Sequence, residues 1–199
     1  MLTLEIVNCP RVYFSYLASF VEDSYSLKEL ILHDCTAYDR ELFVSRLLGA
    51  VFALDGRLRK FCFSFSEPSM PTVSPNFQPD LNRQNNLEHL DISNNSDLKY
   101  IVRKIVVFFS NLVHLNIIGL PVEYLNLFRF GKLNTFKASN FESCIPVIRT
   151  LRAPAQFDLT IIGSPLRDNQ PTIMLEALKP FLESVPKLKI QFSRLECLN

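Results

Sequence analysis

Three histidines have the widest chemical range of any side chains in this sequence: His33, His89 and His114. His89 is followed two residues later by Asp91, and His114 is followed two residues later by Asn116. Two imidazoles and a carboxylate are a ligand set for a transition metal if folding brings them together. They are equally a polar patch on a binding surface, and the elements that position them decide between the two.

The sequence carries no other pattern typical of catalysis. It has neither a G-x-S-x-G elbow nor a C-x-x-C pair, so we expect no nucleophilic enzyme, no zinc or redox motif and no cofactor. An odd number of unpaired thiols is typical of a reducing compartment, so we expect the protein in the cytoplasm or the nucleus. The five cysteines are Cys9, Cys35, Cys62, Cys144 and Cys197.

Composition excludes several classes of partner. Of 199 residues, 21 are Lys or Arg and 20 are Asp or Glu, which gives a net charge of +1 and no general attraction to nucleic acid or an anionic membrane. The 48% apolar content excludes a disordered chain. No segment reaches the roughly 18 apolar residues that cross a bilayer, and residues 1–10 lack the basic start of a signal peptide. We expect a single domain over 1–199 with no small-molecule substrate.

One apolar spacing recurs along the chain: apolar, two residues, apolar, one residue, apolar. Such copies begin at Met1, Leu27, Leu58, Leu87, Leu112 and Leu133, and two weaker ones are centred on Leu159 and Ile190. Their central residues lie about 21 to 31 positions apart, which is the range of repeat proteins. Apolar residues separated by one position point to the same side of a strand, so each copy predicts a strand with one buried face.

The segments L-K-E-L-I-L-H-D-C at 27–35 and L-E-H-L-D-I-S-N-N at 87–95 resemble the leucine-rich-repeat strand motif. The resemblance implies an α/β leucine-rich-repeat solenoid of about eight repeats, with parallel strands on the concave face and helices on the convex face. Cys9, Cys35 and Asn95 stand at the motif's turn position, where Cys or Asn can hydrogen-bond inside the turn, and the two cysteines are interpreted as structural. The residues that depart from the motif at this position are Ser66, Leu120, Phe141, Ser164 and Leu195. A doubly wound α/β domain is the alternative, disfavoured because no glycine-rich strand-to-helix turn is present.

The segments between the copies mostly have helical periodicity. We predict helices over 11–23, 38–54, 97–110, 121–128, 145–152 and 172–185. In the first, Val12, Tyr16 and Phe20 are expected on one broad apolar face with Tyr13, Leu17 and Val21. Residues 67–86 hold four prolines and are predicted to form an irregular exposed loop.

The outward strand positions form the predicted binding face. His89 and His114 hold the same place in adjacent copies, so in a parallel sheet they lie about 5 Å apart. Side-by-side polar residues are ordinary on such a surface, so we favour a partner contact over a metal site. The face mixes both charge signs with a few apolar residues, which suits a protein ligand. The candidate partner-binding residues are Glu29, Ile31, His33, Lys60, Phe65, His89, Asp91, Ser93, His114, Asn116 and Lys137.

The segments N-L-E-H-L-D-I-S-N at 86–94 and N-L-V-H-L-N-I-I-G at 111–119 are similar to those of Zyg-type receptors. The irregular repeats resemble the cysteine-containing and ribonuclease-inhibitor-like classes, which include F-box and Zyg-type substrate receptors of cullin-RING ubiquitin ligases. The resemblance implies non-catalytic protein recognition, with ubiquitin-ligase adaptor subunits as partners, although neither an F-box nor a cullin box is visible. Alternatives are a scaffold repeat protein and, third, a metal-dependent enzyme.

The first copy begins without a polar capping segment. Repeat proteins need their terminal repeats capped. We therefore expect that the first strand belongs to a larger protein, is covered by a partner, or pairs with another copy of the chain.

Overall fold

Eight strands form one parallel sheet in the computed structural model, and their order across the sheet equals their order along the chain. The strands are β1 (Leu2–Val7), β2 (Leu27–His33), β3 (Lys60–Ser64), β4 (His89–Asp91), β5 (His114–Asn116), β6 (Thr135–Ser139), β7 (Gln156–Ile162) and β8 (Lys187–Ser193). The order never reverses, as it would in a doubly wound sheet. The structure describes residues 2–36, 43–54, 56–66, 86–99, 102–109, 111–122, 125, 130–148, 156–162, 176, 178–179 and 187–193.

The strands form where the recurring apolar spacing predicts them, because alternate side chains enter one core. In β2 the inner residues Leu30 and Leu32 are 0% exposed, whereas Ile31 between them is half-buried on the other face. Burying one such aliphatic side chain stabilises the fold by about 1.5–3 kcal/mol. The inner face is therefore the main source of apolar burial in the sheet.

The strand register aligns the central apolar residues of consecutive units. From β2 to β7 the aligned residues are Leu30, Phe61, Leu90, Leu115, Phe136 and Leu159. All six are at most 2% exposed. The result is a continuous apolar row through the middle of the sheet.

Four helices whose limits lie within the described residues contribute to the same core. They are α1 (Phe14–Asp23), α2 (Phe43–Ala53), α3 (Val102–Phe108) and α4 (Phe141–Ile148). Phe14 at the start of α1 lies edge-on to Phe63 of β3, with ring centroids 5.6 Å apart. A contact of this kind stabilises beyond its buried area.

Helix boundaries differ from the predictions in several places. The predicted helix over 97–110 is divided into a 3-10 turn, Ser96–Leu98, and α3. The predicted helix over 145–152 begins earlier, at Phe141. The prediction over 121–128 is wrong at Pro121, Val122 and Leu125, which are not helical. Of 172–185, Glu176, Leu178 and Lys179 are helical, and the remaining positions lie outside the described residues, as do 67–85 of the predicted loop.

The broad apolar face predicted for the first helix is not buried as a whole. Leu17 and Val21 enter the core, but Tyr16 is 75% exposed and Phe20 is 43% exposed. The reason is that a helix packed on one sheet presents only a stripe of its surface to the core. Tyr16 and Phe20 therefore lie on the surface, whereas Phe14 of the same helix is buried.

Buried polar groups close the turns that follow two of the strands. The Cys35 thiol donates to the carbonyl oxygens of Ile6 and His33, at 3.2 and 3.3 Å. The Asn95 amide nitrogen donates to the carbonyl oxygen of Phe63, at 3.1 Å. Each side chain thus bonds to the preceding unit, which supports the structural role predicted for these turn positions.

A left-handed residue follows five of the strands. Asn8, Asp34, Asn94, Gly119 and Asn140 all have φ between 52° and 78°. Asn, Asp and Gly are the residues that adopt this conformation at least cost. Each lies four positions after the central apolar residue of its unit, so the same backbone turn recurs along the sheet.

Among the described residues, no helix combines the length and the apolarity needed to cross a bilayer.

We predict that Asn95→Ala lowers the free energy of unfolding by about 1–3 kcal/mol, because the buried carbonyl oxygen of Phe63 loses its partner. Asn134→Ala is the matched control, since the Asn134 side chain is exposed and its loss should cost less than about 0.5 kcal/mol. Urea unfolding of both variants measures the difference. Equal stabilities would contradict a structural role for Asn95.

We predict opposite effects for two glycine substitutions. Gly119→Ala should destabilise by about 1 kcal/mol or more, because φ is +78° there and an added Cβ would overlap Oδ1 of Asn94 and lie 3.1 Å from its Cα. Gly49→Ala in α2 meets no atom within 4 Å and should stabilise by up to about 1 kcal/mol. Thermal unfolding of both variants tests this pair, and a neutral Gly119→Ala would contradict it.

Candidate functional site

The open face of the sheet is the side opposite the core, and the register arranges its side chains in two rows. The first row runs Thr3, Glu29, Lys60, His89, His114, Thr135 and Asp158. The second row runs Glu5, Ile31, Cys62, Asp91, Asn116, Lys137 and Thr160. Eight of the eleven predicted partner-binding residues lie in these rows.

The two central histidines stack on one another. The rings of His89 and His114 have centroids 4.1 Å apart and planes inclined by 18°. Nδ1 of His114 lies 2.9 Å from the hydroxyl oxygen of Thr135 on β6, which fixes the ring. The predicted proximity of the two residues is confirmed by the register of β4 and β5.

Burial lowers the pKa of both stacked imidazoles. For His89 the next cause is the neighbouring His114, since two positive charges at this distance repel. For His114 the nearby Asp158 acts in the opposite direction, but burial dominates. Both rings are therefore neutral at pH 7 and present a flat, weakly polar platform.

Asp91 is held in place by its neighbours. Its Oδ1 accepts hydrogen bonds from the backbone nitrogen and the hydroxyl of Ser93, at 3.0 and 2.7 Å, and its Oδ2 accepts one from Nδ2 of Asn116, at 2.9 Å. Oδ1 of Asn116 in turn accepts from the backbone nitrogen of Ile118. The carboxylate is therefore a fixed acceptor on the open face.

These residues do not assemble a metal site within the described part of the chain. No group of three or more His, Cys, Asp or Glu residues there is placed to hold an ion. The stacked imidazoles of His89 and His114 lie face to face, and both oxygens of Asp91 already accept hydrogen bonds. The arrangement has the chemistry of a contact surface.

Cys62 lies between Ile31 and Asp91 in the second row. Burial, followed by the charge of Asp91, raises the pKa of its thiol to about 11. A thiol with this pKa is almost entirely protonated at neutral pH and is a poor nucleophile. Together with Ile31 it gives the face a small apolar area.

A second polar cluster joins the ends of β2 and β3. Nδ1 of His33 lies 3.1 Å from the Ser64 hydroxyl, and its Nε2 lies 3.2 Å from Oδ2 of Asp34. Ser66 donates to Asp34 through both its hydroxyl and its backbone nitrogen, at 2.7 Å each. These bonds lower the pKa of Asp34. The Ser66 hydroxyl also lies 3.3 Å from Nε2 of His33. The cluster therefore fastens the chain that leaves β3 to the end of β2.

Two predicted contact residues are less accessible than the others. Ser93 is only 8% exposed, and its hydroxyl is directed to Asp91. Phe65 packs against the core, with its ring centroid 5.9 Å from that of Phe63. Phe65 has the parity of the inner residues Phe61 and Phe63, so its side chain continues their alternation toward the core, whereas Ser93 has the parity of Asp91 on the open face. Ser93 thus positions Asp91, and Phe65 presents only part of its ring.

Sequence reasoning missed the fastening role of Asp34 and Ser66. The signal for Asp34 was the recurrence of Asn, Asp or Gly four positions after five of the central apolar residues, which the left-handed turns explain. On the open face, the Glu29 carboxylate accepts a hydrogen bond from the Thr3 hydroxyl at 3.2 Å, and these two residues are neighbours in the first row.

Comparisons of the chain with protein-family models, with curated proteins and with solved structures found no match.

We predict that the stacked histidines make stability pH-dependent. Because the folded state lowers their pKa below the ordinary 6.5, protonation favours the unfolded chain. The stability that the two neutral rings contribute to the fold is fully present above pH 6.5 and is lost as the pH falls below that value. Urea unfolding measures the free energy of unfolding at pH 7.5 and at pH 5.5. Between these two pH values it should decrease less for the double variant His89→Gln, His114→Gln than for the wild-type chain. An equal decrease in both proteins would contradict the lowered pKa of the two histidines.

Proposed function

We propose that this protein is a leucine-rich-repeat solenoid that binds a protein partner, without catalysis, through the open face of its sheet. The observation that carries this proposal is the register, which places polar, charged and small apolar side chains from seven strands in two continuous rows. Side chains on rigid strands are held in position before binding, which reduces the entropy lost on association.

Several features support the repeat architecture. The strands are parallel and sequential, the left-handed turn recurs, and Cys35 and Asn95 bond back to the preceding unit from the same turn position. Stacked units of this kind share one core, so each contributes one strand to a common surface.

The charges of the face favour a folded protein or peptide over a nucleic acid. Lys60 and Lys137 are separated by Asp91, and Glu29 lies beside Lys60 in the first row. A nucleic-acid surface would instead cluster its cations along one side. Mixed signs around the His89–His114 platform give electrostatic complementarity to a partner with its own alternating charges.

The similarity of 86–94 and 111–119 to Zyg-type receptors supports a finer proposal, that the chain is the substrate-binding part of a ubiquitin-ligase receptor. A scaffold repeat protein would use the same face without ligase subunits. Affinity purification of the full chain distinguishes them: co-purified elongin or cullin subunits support the receptor, and their absence alongside other specific partners supports the scaffold.

We also propose a reducing compartment, the cytoplasm or the nucleus. The support is the Cys35 thiol, which must keep its proton to donate to two carbonyl oxygens. A disulfide there would remove both hydrogen bonds and weaken the turn after β2.

We predict that Lys60→Glu together with Lys137→Glu weakens binding of partners by at least about tenfold, because both cations lie on the open face and reversing them opposes the partner's charges. Quantitative affinity purification, with wild-type and variant chains compared at equal loading, measures the loss.

The matched control is Lys132→Glu together with Lys179→Glu. It changes the net charge by the same amount at exposed positions outside the two rows. The same partners should be retained by this control. Equal loss in both variants would show a general charge effect, and no loss in either would place the binding site elsewhere.

A further inference from the structure

β1 is an edge strand of the sheet that the described residues form. β1 pairs with β2 on one side, and no described strand pairs with its other side. The backbone nitrogen of Asn8 donates toward β2, to the carbonyl oxygen of His33, at 2.9 Å. Since backbone groups alternate along a strand, the N–H groups of Thr3, Glu5 and Val7 point to the open side. Such an edge is a template for a further strand.

Apolar side chains accompany this edge. Leu4 and Ile6 are only half-buried, whereas their counterparts in β2, Leu30 and Leu32, are 0% exposed. The difference arises because β2 has a strand on both sides and β1 has one. A strand added at the open edge would complete the burial of Leu4 and Ile6.

An aromatic stripe on α1 lies at the same end of the molecule. Tyr13, Tyr16 and Phe20 are spaced to share one face of the helix, and all three are exposed. Leu17 and Val21 of the same helix are buried, so the aromatic stripe lies on the part of α1 that is turned away from the core.

The sequence of β1 complements itself in one antiparallel register. With Leu4 opposite Leu4 of a second chain, Thr3 lies opposite Glu5 and Leu2 lies opposite Ile6. Residues 3 and 5, whose N–H groups face the edge, then form the hydrogen-bonded pairs that antiparallel strands require. Moving the register by one such step toward the end of β1 places Glu5 opposite Glu5, and like charges opposite each other are destabilising. Moving it one step the other way places Thr3 opposite Thr3 and pairs fewer residues of the two strands.

We infer that β1 pairs with β1 of a second copy of this chain, in an antiparallel two-fold arrangement centred on Leu4. The two sheets then form one continuous sheet. A two-fold contact uses the same patch on both chains, which matches a self-complementary edge. The net charge of +1 gives little repulsion between copies.

The first test is Glu5→Pro, compared with Glu5→Ala in sedimentation velocity over a range of concentrations. Proline removes an N–H group that points away from β2, so the edge is blocked while the pairing with β2 is kept. We expect a wild-type dimer, a weakening of about tenfold or more for Glu5→Pro, and little change for Glu5→Ala. A monomeric wild-type chain, or a dimer equally tight in Glu5→Pro, would overturn the inference.

A charge test keeps the inference falsifiable if the proline variant fails to fold. Thr3→Lys places a lysine opposite Glu5 of the second chain and should tighten the dimer by about fivefold, because two such pairs form. Thr3→Lys combined with Glu5→Lys places lysines opposite each other and should loosen it by about as much. The proposed register would be overturned if both variants had the same dimer affinity. Self-association would be overturned if the wild-type chain were a monomer that forms a complex only with a different protein.

Discussion

The fold depends on one constraint, that each strand must meet its neighbour with its inner apolar residues aligned. A slip of one residue would turn Leu90 to the open face and His89 into the core, because successive side chains point to opposite sides. The aligned core row prevents this slip, since its members are almost completely buried. The same alignment fixes the open face, so the stacked histidines and the Asp91–Asn116 pair are consequences of how the core packs.

Polar contacts at the strand ends reinforce that alignment. The backbone nitrogens of the left-handed residues donate hydrogen bonds to the neighbouring strand. Asn8 donates to the carbonyl oxygen of His33, Asp34 to that of Ser64, and Asn140 to that of Ile162. Where the turn is buried, Cys35 and Asn95 add side-chain bonds toward the preceding unit. Apolar packing thus sets which residues align, and these turns set where each strand ends.

The sequence predicts the inner row and the neighbouring histidines well, because an alternating apolar pattern has only one arrangement that buries it. It predicts helix limits poorly. The connection after Leu120 has apolar spacing typical of a helix, yet Pro121 and Val122 are not helical. Short connections are shaped by the distance they must span and by tertiary contacts, which local periodicity does not contain. Phe65 is partly buried because it continues the inner alternation of Phe61 and Phe63. Ser93 is buried because its hydroxyl is directed to Asp91.

Phe65 holds the place where other units have a left-handed residue, and it is also where the chain departs from the regular spacing. Its carbonyl oxygen and that of Ser66 accept hydrogen bonds from the Asn94 amide, at 2.9 and 3.2 Å, and the Asn86 amide donates to the carbonyl oxygen of Gly56 at 3.2 Å. An asparagine amide therefore ties neighbouring units together both where the chain leaves β3 and where it returns ahead of β4. The stacking of units here is specified by single side chains that reach a backbone carbonyl, so one amide-to-apolar substitution at either asparagine would loosen the joint between the two units without removing any strand pairing.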